Sequence, residues 1–417
     1  MRSRLAFLAL AASLSLAAVA SSQAQPAAEL FAAKALDFER NSAKVVGAYV
    51  ANWQPLAQVE AIPSGSLSHI LYAFLRLCGP GQLPADAVRC EGRADFQLAS
   101  SEVDRRFDAA FARLKARAPQ LKVLASVGGW GGSDPFFHLA NDAARRALFA
   151  ASVQQFLREH AAFDGIDIDW EHPGGNGAAN GVSLGSPADG QGYAELMLEL
   201  RRALDRLSAE TGRLYLLSSA VNSTQAIVQG INFRQAEPAL DLVFMMTYDF
   251  YGGWSSGAGH HSALRSSAPG ADDSLERSVQ NLVAAGVPKR KLVAGVAMYG
   301  RGFSGVAKPV SGAAKSGVYP GSDGSAGYRE IAQRQLGPRG QGLRGYRALF
   351  DAQTQAWSLY HPGLRLWMSY DDPRAVLAKG RFVTEQGLAG LFAWELSQDN
   401  GAILNAMNRG LGHLALP

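Results

Sequence analysis

The sequence is poor in cysteine, in long apolar runs and in clustered charge. Of its 417 residues only two are cysteines, which excludes a disulfide-rich scaffold and any metal site built from cysteine clusters. Beyond the N-terminal segment no stretch reaches the roughly 18 uninterrupted apolar residues that a membrane-spanning helix needs. The net charge is only +4 and the basic residues are dispersed, so neither nucleic acid nor a membrane is an expected partner.

The N-terminus has the pattern of an export signal. The basic stretch "MRSR" precedes an apolar run over 5–19, which is too short to span a bilayer comfortably. We therefore predict a signal peptide over 1–24, a flexible leader or short helix over 25–42, and a secreted protein, either extracellular or periplasmic. In such an oxidising compartment Cys78 and Cys90 are expected to form one loop-closing disulfide.

Eight short apolar runs alternate with helical patterns along the chain. Runs rich in Val, Leu and Ile without clean alternation favour parallel strands that are covered on both faces. These runs lie at 44–53, 67–77, 121–130, 163–171, 213–222, 241–249, 291–300 and 387–395. Apolar residues at three- and four-residue spacing predict helices at 102–117, 193–210 and 273–286. Eight strand–helix units predict an α/β fold, a (β/α)8 TIM barrel, formed by 43–303 and 366–412.

Two segments interrupt this rhythm. The interval 304–365 separates the seventh strand from the eighth and is too long for an ordinary barrel loop. We predict that it forms a small inserted α+β subdomain on the catalytic face. A second insertion, 172–192, follows the fourth strand directly and predicts a loop near the site.

The stretch "DGIDIDWE" at 164–171 places four acids in a segment that otherwise reads as a buried strand. At a period of two, Asp167, Asp169 and Glu171 point to one face, and the apolar residues between them point to the other. A solvated edge strand and a calcium loop are alternatives, but a calcium loop has polar residues where Ile and Trp stand here. The pattern favours a catalytic cluster of acids.

Four motifs in order make the chain resemble glycoside hydrolase family 18, the chitinases and their relatives. The motifs are "DGIDIDWE" (164–171), "SVGGW" (126–130), "MMTYD" (245–249) and "YGRGF" (299–303), and the Trp394 of "FAWE" also matches the family. The resemblance covers roughly 44–412. It implies that Glu171 is the general acid and base, and that the substrate's own 2-acetamido group replaces a protein nucleophile.

The resemblance also implies roles for the residues around Glu171. Asp169 is expected to orient the acetamido group and to share a proton with Asp167, so that the three acids titrate as a unit. Tyr248 and Asp249 are expected to hold the acetamido group from the opposite side. The reaction requires no cofactor and no metal.

Aromatic side chains are expected to bind the faces of sugar rings. Trp394 is the predicted floor of the cleavage subsite. The remaining candidates for substrate contact are Trp130, Met246, Tyr49, Phe74, Tyr299 and Arg301. Core packing is an equally good interpretation of Tyr49 and Phe74, and Arg301 could equally brace the acids. The tandem His260-His261 in "GAGHHS" is interpreted as a solvated loop pair rather than a metal site.

These patterns together lead to one functional hypothesis. The chain is expected to be a secreted chitinase, acting as a monomer, that hydrolyses β-1,4 linkages in chitin or N-acetylglucosamine oligosaccharides with retention of configuration. An endo-β-N-acetylglucosaminidase of the same family is the alternative. A non-catalytic chitin-binding relative is a weaker one, because fold alone does not fix function.

Overall fold

The computed structural model describes residues 27–82, 84–175 and 184–417. The predicted signal peptide at 1–24 lies outside the described residues. Most of the predicted loop insertion at 172–192 is described, except for 176–183.

Eight parallel strands form a closed barrel. The first strand pairs with both the second and the eighth, which closes the sheet. The predicted (β/α)8 barrel is therefore confirmed. The barrel strands, in order, are Val45–Ala51, His69–Leu77, Lys122–Gly128, Gly165–Asp169, Leu216–Asn222, Leu242–Met246, Leu292–Ala297 and Gly390–Trp394.

Helices on the outside of the barrel connect these strands. The helix Glu102–Arg117 has the bounds that the apolar spacing predicts, and Ser101 and Asp104 form a capping box at its start. The other long helices are Ala143–Glu159, Asp189–Thr211, Leu275–Ala284, Pro373–Gln386 and Ala402–Gly410. Shorter helices are Ala27–Leu30, Ala57–Glu60, Pro84–Ala87, Asp134–Leu139, Gln225–Gln229 and Phe233–Ala236.

The barrel wall separates two of the apolar cores. A large core lies between the strands and the helices and includes Ile166 and Ile168. A smaller core inside the barrel includes Tyr49, Phe244 and Phe392. The alternation along the fourth strand therefore places its isoleucines against the helices and its acids inside the barrel.

An antiparallel sheet lies between the seventh and eighth barrel strands, and we call it the insertion sheet. The first and last strands of this sheet in chain order, Tyr299–Ser304 and Leu366–Tyr370, pair with each other. The others are Gly317–Val318, Ser325–Gly327, Arg347–Asp351 and Ala356–His361, with the helix Tyr328–Gln335 between them. The sheet therefore begins before and ends after the interval 304–365.

Two short segments, one before the first barrel strand and one near the C-terminus, meet below the barrel, where the strands begin. A two-residue strand, Phe38–Glu39, pairs with Leu414–Ala415. Asp37 accepts a hydrogen bond from Ser64, just before the second barrel strand. The described part of the chain also contains the predicted Cys78–Cys90 disulfide. None of its helices combines the length and apolar character needed to cross a bilayer.

Candidate active site

Three residues in register form a polar layer inside the barrel. Ser126 on the third strand and Ser218 on the fifth are the register partners of Asp167 on the fourth. Both hydroxyls donate to the Asp167 carboxylate, at 2.7 and 2.6 Å, and Tyr49 donates to it at 3.1 Å. Burial raises the pKa of Asp167, and these hydrogen bonds oppose the rise.

The next two acids lie closer to the barrel mouth, the end at which the strands terminate. We call Asp167, Asp169 and Glu171 the acid row. Burial, then the charges of Glu171 and Asp167, raise the pKa of Asp169 well above its ordinary value. Burial and the charge of Asp249 raise the pKa of Glu171 to about 8. Glu171 is therefore mainly protonated at neutral pH, as a general acid must be.

The exit of the third strand holds the backbone of the acid row. The hydroxyl of Ser133 accepts the Glu171 N–H at 3.0 Å and lies 3.0 Å from the carbonyl oxygen of Asp169. Gly128 has φ of 113°, and a Cβ there would lie 2.1 Å from that same carbonyl oxygen. Only glycine fits this approach, which explains one glycine of "SVGGW".

Asp249 lies at the end of the sixth strand among donors from the insertion sheet. Arg301 binds it through two hydrogen bonds of 2.9 and 2.7 Å, and Tyr299 donates to it at 2.7 Å. Burial acts to raise the pKa of Asp249, but the nearby imidazole of His261 and the hydrogen bonds and charge of Arg301 bring that pKa well below its ordinary value. Asp249 is therefore a fixed negative charge near Glu171.

Trp394 ends the eighth strand and lies on an aromatic base. Its ring stacks on Phe74 at 5.7 Å and meets Tyr49 edge-on at 5.0 Å. Both residues beneath it are buried. Tyr49 and Phe74 thus support Trp394, and Tyr49 also donates a hydrogen bond to Asp167. Of the two interpretations of these residues, core packing therefore fits better than contact with substrate.

The other predicted aromatic and polar residues lie around the same mouth. Trp130 follows the third strand with 67% of its surface exposed, and its ring lies 6.5 Å from that of His172. Tyr248 follows the sixth strand, which Met246 ends. Burial, together with the charges of Asp169, Glu171 and Asp249, raises the pKa of Tyr248 well above its ordinary value, so the phenol keeps its proton. Arg301 braces Asp249, which agrees with the second of its two interpretations, support of the acids rather than contact with substrate.

Several residues of the site were missed by the sequence interpretation. Ser218 and Ser133 hold the acid row, and Trp254, which is 64% exposed, lies over the guanidinium of Arg301 at 5.1 Å. A serine inside an apolar strand was the available signal for Ser218. One prediction was wrong: His260 and His261 are not solvated but 2% and 0% exposed. The rings of Trp367 and Tyr299 from the insertion sheet cover them.

The comparison with known families agrees with this geometry. A family model for glycosyl hydrolases family 18 matches residues 45–399. The chain belongs to this family. The match begins at the first barrel strand and ends beyond the eighth, so it includes the acid row and the insertion sheet.

Relatives within family 18 include chitinases of bacteria and viruses. Chitinase A of Pseudoalteromonas piscicida is 36% identical, over 88% of this chain and 52% of that protein. The probable endochitinase of Orgyia pseudotsugata multicapsid polyhedrosis virus is 36% identical, over 88% of this chain and 72% of that protein. The chain thus spans about half the length of the first relative.

Solved structures of the family share the fold. A family 18 N-acetylglucosaminidase from Paenibacillus barengoltzii superposes with a TM-score of 0.73 at 29% identity, covering 88% of this chain and 99% of that one. A family 18 chitinase from Cycas revoluta, solved in complex with (GlcNAc)3, has a TM-score of 0.72 at 25% identity, covering 88% of this chain and all of that one.

Proposed function

We propose that the chain is a chitinase that hydrolyses β-1,4 linkages between N-acetylglucosamine residues. The observation that carries the proposal is the acid row: Glu171 and Asp169 lie together, without an ion pair to any described lysine or arginine, in a barrel mouth that also holds Trp130 and Trp394. The names of the relatives, and a family member solved with an N-acetylglucosamine oligomer, support chitin oligosaccharides as the substrate class.

In the proposed mechanism Glu171 transfers its proton to the glycosidic oxygen as the bond to C1 breaks. The carbonyl oxygen of the substrate's 2-acetamido group attacks C1 and forms an oxazolinium ion. Glu171, now ionised, accepts a proton from the water that opens this ion, so the configuration at C1 is retained. No protein nucleophile takes part.

Asp169 is the proposed partner of the acetamido N–H. Its Oδ1 is buried and accepts no hydrogen bond from any described residue, so it can accept one from the substrate without losing another. A carboxylate at this position would orient the acetamido group and offset the positive charge that develops on the oxazolinium ion. Tyr248 is the proposed donor to the acetamido oxygen.

The aromatic residues at the mouth are proposed to bind sugar rings. Trp394 would lie beneath the sugar at the cleavage point because it is half-buried and fixed on Phe74. Trp130 would contact a neighbouring sugar, since most of its ring is exposed. Each such contact removes apolar surface from water on both partners.

We further propose that the protein is exported. The N-terminal pattern "MRSR" followed by an apolar run supports a signal peptide. The Cys78–Cys90 disulfide is consistent with an oxidising compartment. Detection of a mature chain without residues 1–24 outside the cytoplasm would test this, and a cytoplasmic full-length chain would refute it.

Time-resolved proton NMR on N-acetylglucosamine oligomers tests the mechanism. The first product is expected to be the β-anomer, and fully deacetylated chitosan should not be cleaved, because the attacking carbonyl is missing. An early α-anomer, or hydrolysis of the deacetylated chain, would indicate attack by a protein carboxylate or an activated water instead. Absence of any cleavage, with binding retained, would favour a non-catalytic relative.

An endo-β-N-acetylglucosaminidase is the second candidate within the family, and a solved N-acetylglucosaminidase of family 18 shares the fold over 99% of its length. An endo-β-N-acetylglucosaminidase would prefer the glycan of a glycoprotein over a chitin oligomer. Parallel assays on both substrates separate the candidates. Chitinase activity predicts faster release from the oligomer.

A further inference from the structure

The tandem histidines His260 and His261 lie between the barrel and the insertion sheet. They belong to the segment that follows the sixth barrel strand, and both are buried. His260 faces Asp351 of the insertion sheet, with 3.5 Å between Nε2 and the nearer carboxylate oxygen. His261 faces Asp249 at the barrel mouth instead, with 3.5 Å between Nδ1 and Oδ1.

The backbone of His261 is fixed from two sides. Its N–H donates to the hydroxyl of Ser369 on the insertion sheet at 2.9 Å, and its carbonyl accepts the N–H of Phe250 at 3.1 Å. Phe250 is the residue after Asp249. The imidazole ring also packs 5.1 Å from the ring of Tyr299, which donates to the same carboxylate oxygen.

Asp249 needs such a support because of its backbone conformation. Its φ is +60°, in the left-handed region that few residues other than glycine adopt. On the two other sides Arg301 and Tyr299 bind its carboxylate. The His261 ring lies on the remaining side, that of its own loop, so the carboxylate has polar neighbours in three directions.

We propose that His261 is a positioning residue that holds Asp249 in the orientation required for catalysis. This inference rests on the proposed function. Burial lowers the pKa of His261, so the ring is neutral at pH 7. Its Nδ1 lies 3.5 Å from Oδ1, and a small closing movement would let an Nδ1–H donate to Asp249 without adding a charge. Asp249 remains an anion facing Glu171, and His261 itself does not touch the substrate.

Three substitutions of His261 differ in where they place a hydrogen-bond donor. Asparagine places an amide nitrogen close to the position of Nδ1, glutamine places it close to Nε2, and leucine offers no donor. We expect His261→Asn to keep the hydrolysis rate on N-acetylglucosamine oligomers within about threefold. His261→Gln and His261→Leu should lower kcat by about tenfold or more with KM little changed, because small misplacements of a catalytic group are costly.

A double-variant cycle with Asp249→Asn shows whether the effect passes through Asp249. Asparagine tolerates a positive φ, so this background keeps its backbone. If His261 acts through the Asp249 carboxylate, His261→Gln should cause little further loss there. A full, multiplicative tenfold loss in the Asp249→Asn background would overturn the inference.

His260→Leu is the matched control. This neighbour is equally buried but faces Asp351 and Trp367 rather than Asp249. It is expected to lower the melting temperature while leaving kcat within about twofold. Equal losses of kcat from both leucine variants, or a rate in His261→Gln equal to that of the unchanged chain, would contradict the role assigned to His261.

The result also separates this inference from the proposed function. If the unchanged chain hydrolyses no oligomer, the proposed function fails. If the chain is active but the cycle is multiplicative, only the role of His261 fails.

Discussion

Carboxylates near the barrel mouth have two kinds of surroundings, one without a cationic partner and one with such a partner. The acid row contacts hydroxyl groups and the imidazole of His172, whose pKa burial lowers to about 4. None of the described lysines or arginines forms an ion pair with it. Asp371, just after the insertion sheet, instead contacts the ammonium group of Lys379 at 2.8 Å, with both side chains 1% exposed.

The difference separates a chemical role from a structural one. A buried acid without a cation holds its proton, which suits transfer to a leaving group. A buried acid with a cation is fixed as an anion. Asp371 also accepts hydrogen bonds from Ser262 and from the Ala297 N–H, so it joins the seventh strand to the loop after the sixth.

The largest expected effect is on the paired acid. Lys379→Met would leave Asp371 buried and unpaired, which costs about 3–5 kcal/mol of unfolding free energy. Denaturant unfolding measures the loss. Lys289→Met is the control, because that exposed lysine bonds only Gln386 among the described residues and should change stability by less than about 0.5 kcal/mol. Equal unfolding free energies of the two variants would show that the Asp371–Lys379 pair does not stabilise the fold.

The next effect concerns the unpaired acid that transfers the proton. Glu171→Gln should lower kcat on N-acetylglucosamine oligomers at least about a hundredfold, which corresponds to about 2.7 kcal/mol, while oligomer binding persists. Glu195→Gln removes a carboxylate that pairs with Arg146 on the outer helices and should keep the rate. Turnover at the original level in Glu171→Gln would remove Glu171 from the mechanism.

The third effect is the pH dependence of stability. The pKa of Glu171 is raised to about 8 from 4.5, so between these values the folded chain binds a proton that the unfolded chain has released. Stability from this group therefore falls as pH rises through that window. Glu171→Gln lacks this penalty. Its melting temperature should exceed that of the unchanged chain by an amount that grows by about 4–6 °C from pH 4.5 to 8; a constant difference would contradict this.

The smallest effect tests the hydroxyl groups that replace a cation. Ser218→Ala removes one of three donors to Asp167, which should cost about 1 kcal/mol and raise the Asp167 pKa further. Ser219→Ala is matched in burial and removes a bond to the Ile168 carbonyl instead. We expect similar stability losses but a lower kcat only for Ser218→Ala. The same kcat in both variants would mean that Asp167 does not need this donor.

The barrel and the acid row could be predicted because both follow from local periodicity. Apolar runs of the right length mark the strands, and alternation along "DGIDIDWE" assigns each side chain to a face. The helix Glu102–Arg117 could be placed by its apolar spacing and its serine cap. These signals depend only on residues that are near in sequence.

The remaining parts depend on contacts between distant segments. Ser218 becomes a partner of Asp167 only through the register of two neighbouring strands. The burial of His260 and His261 depends on rings from the insertion sheet, which no pattern in "GAGHHS" indicates. Lys379 reads as one more helical lysine until the fold buries it against Asp371 and against Ser262 of the loop after the sixth strand.

The short ribbon between Phe38–Glu39 and Leu414–Ala415 determines how the molecule could face a surface. It holds residues 37–39 and the C-terminal segment 414–415 on the side where the barrel strands begin. The acid row lies at the other side, where the strands end. A support or a further domain attached through the C-terminal segment would therefore leave the mouth pointing outward, open to an insoluble polymer.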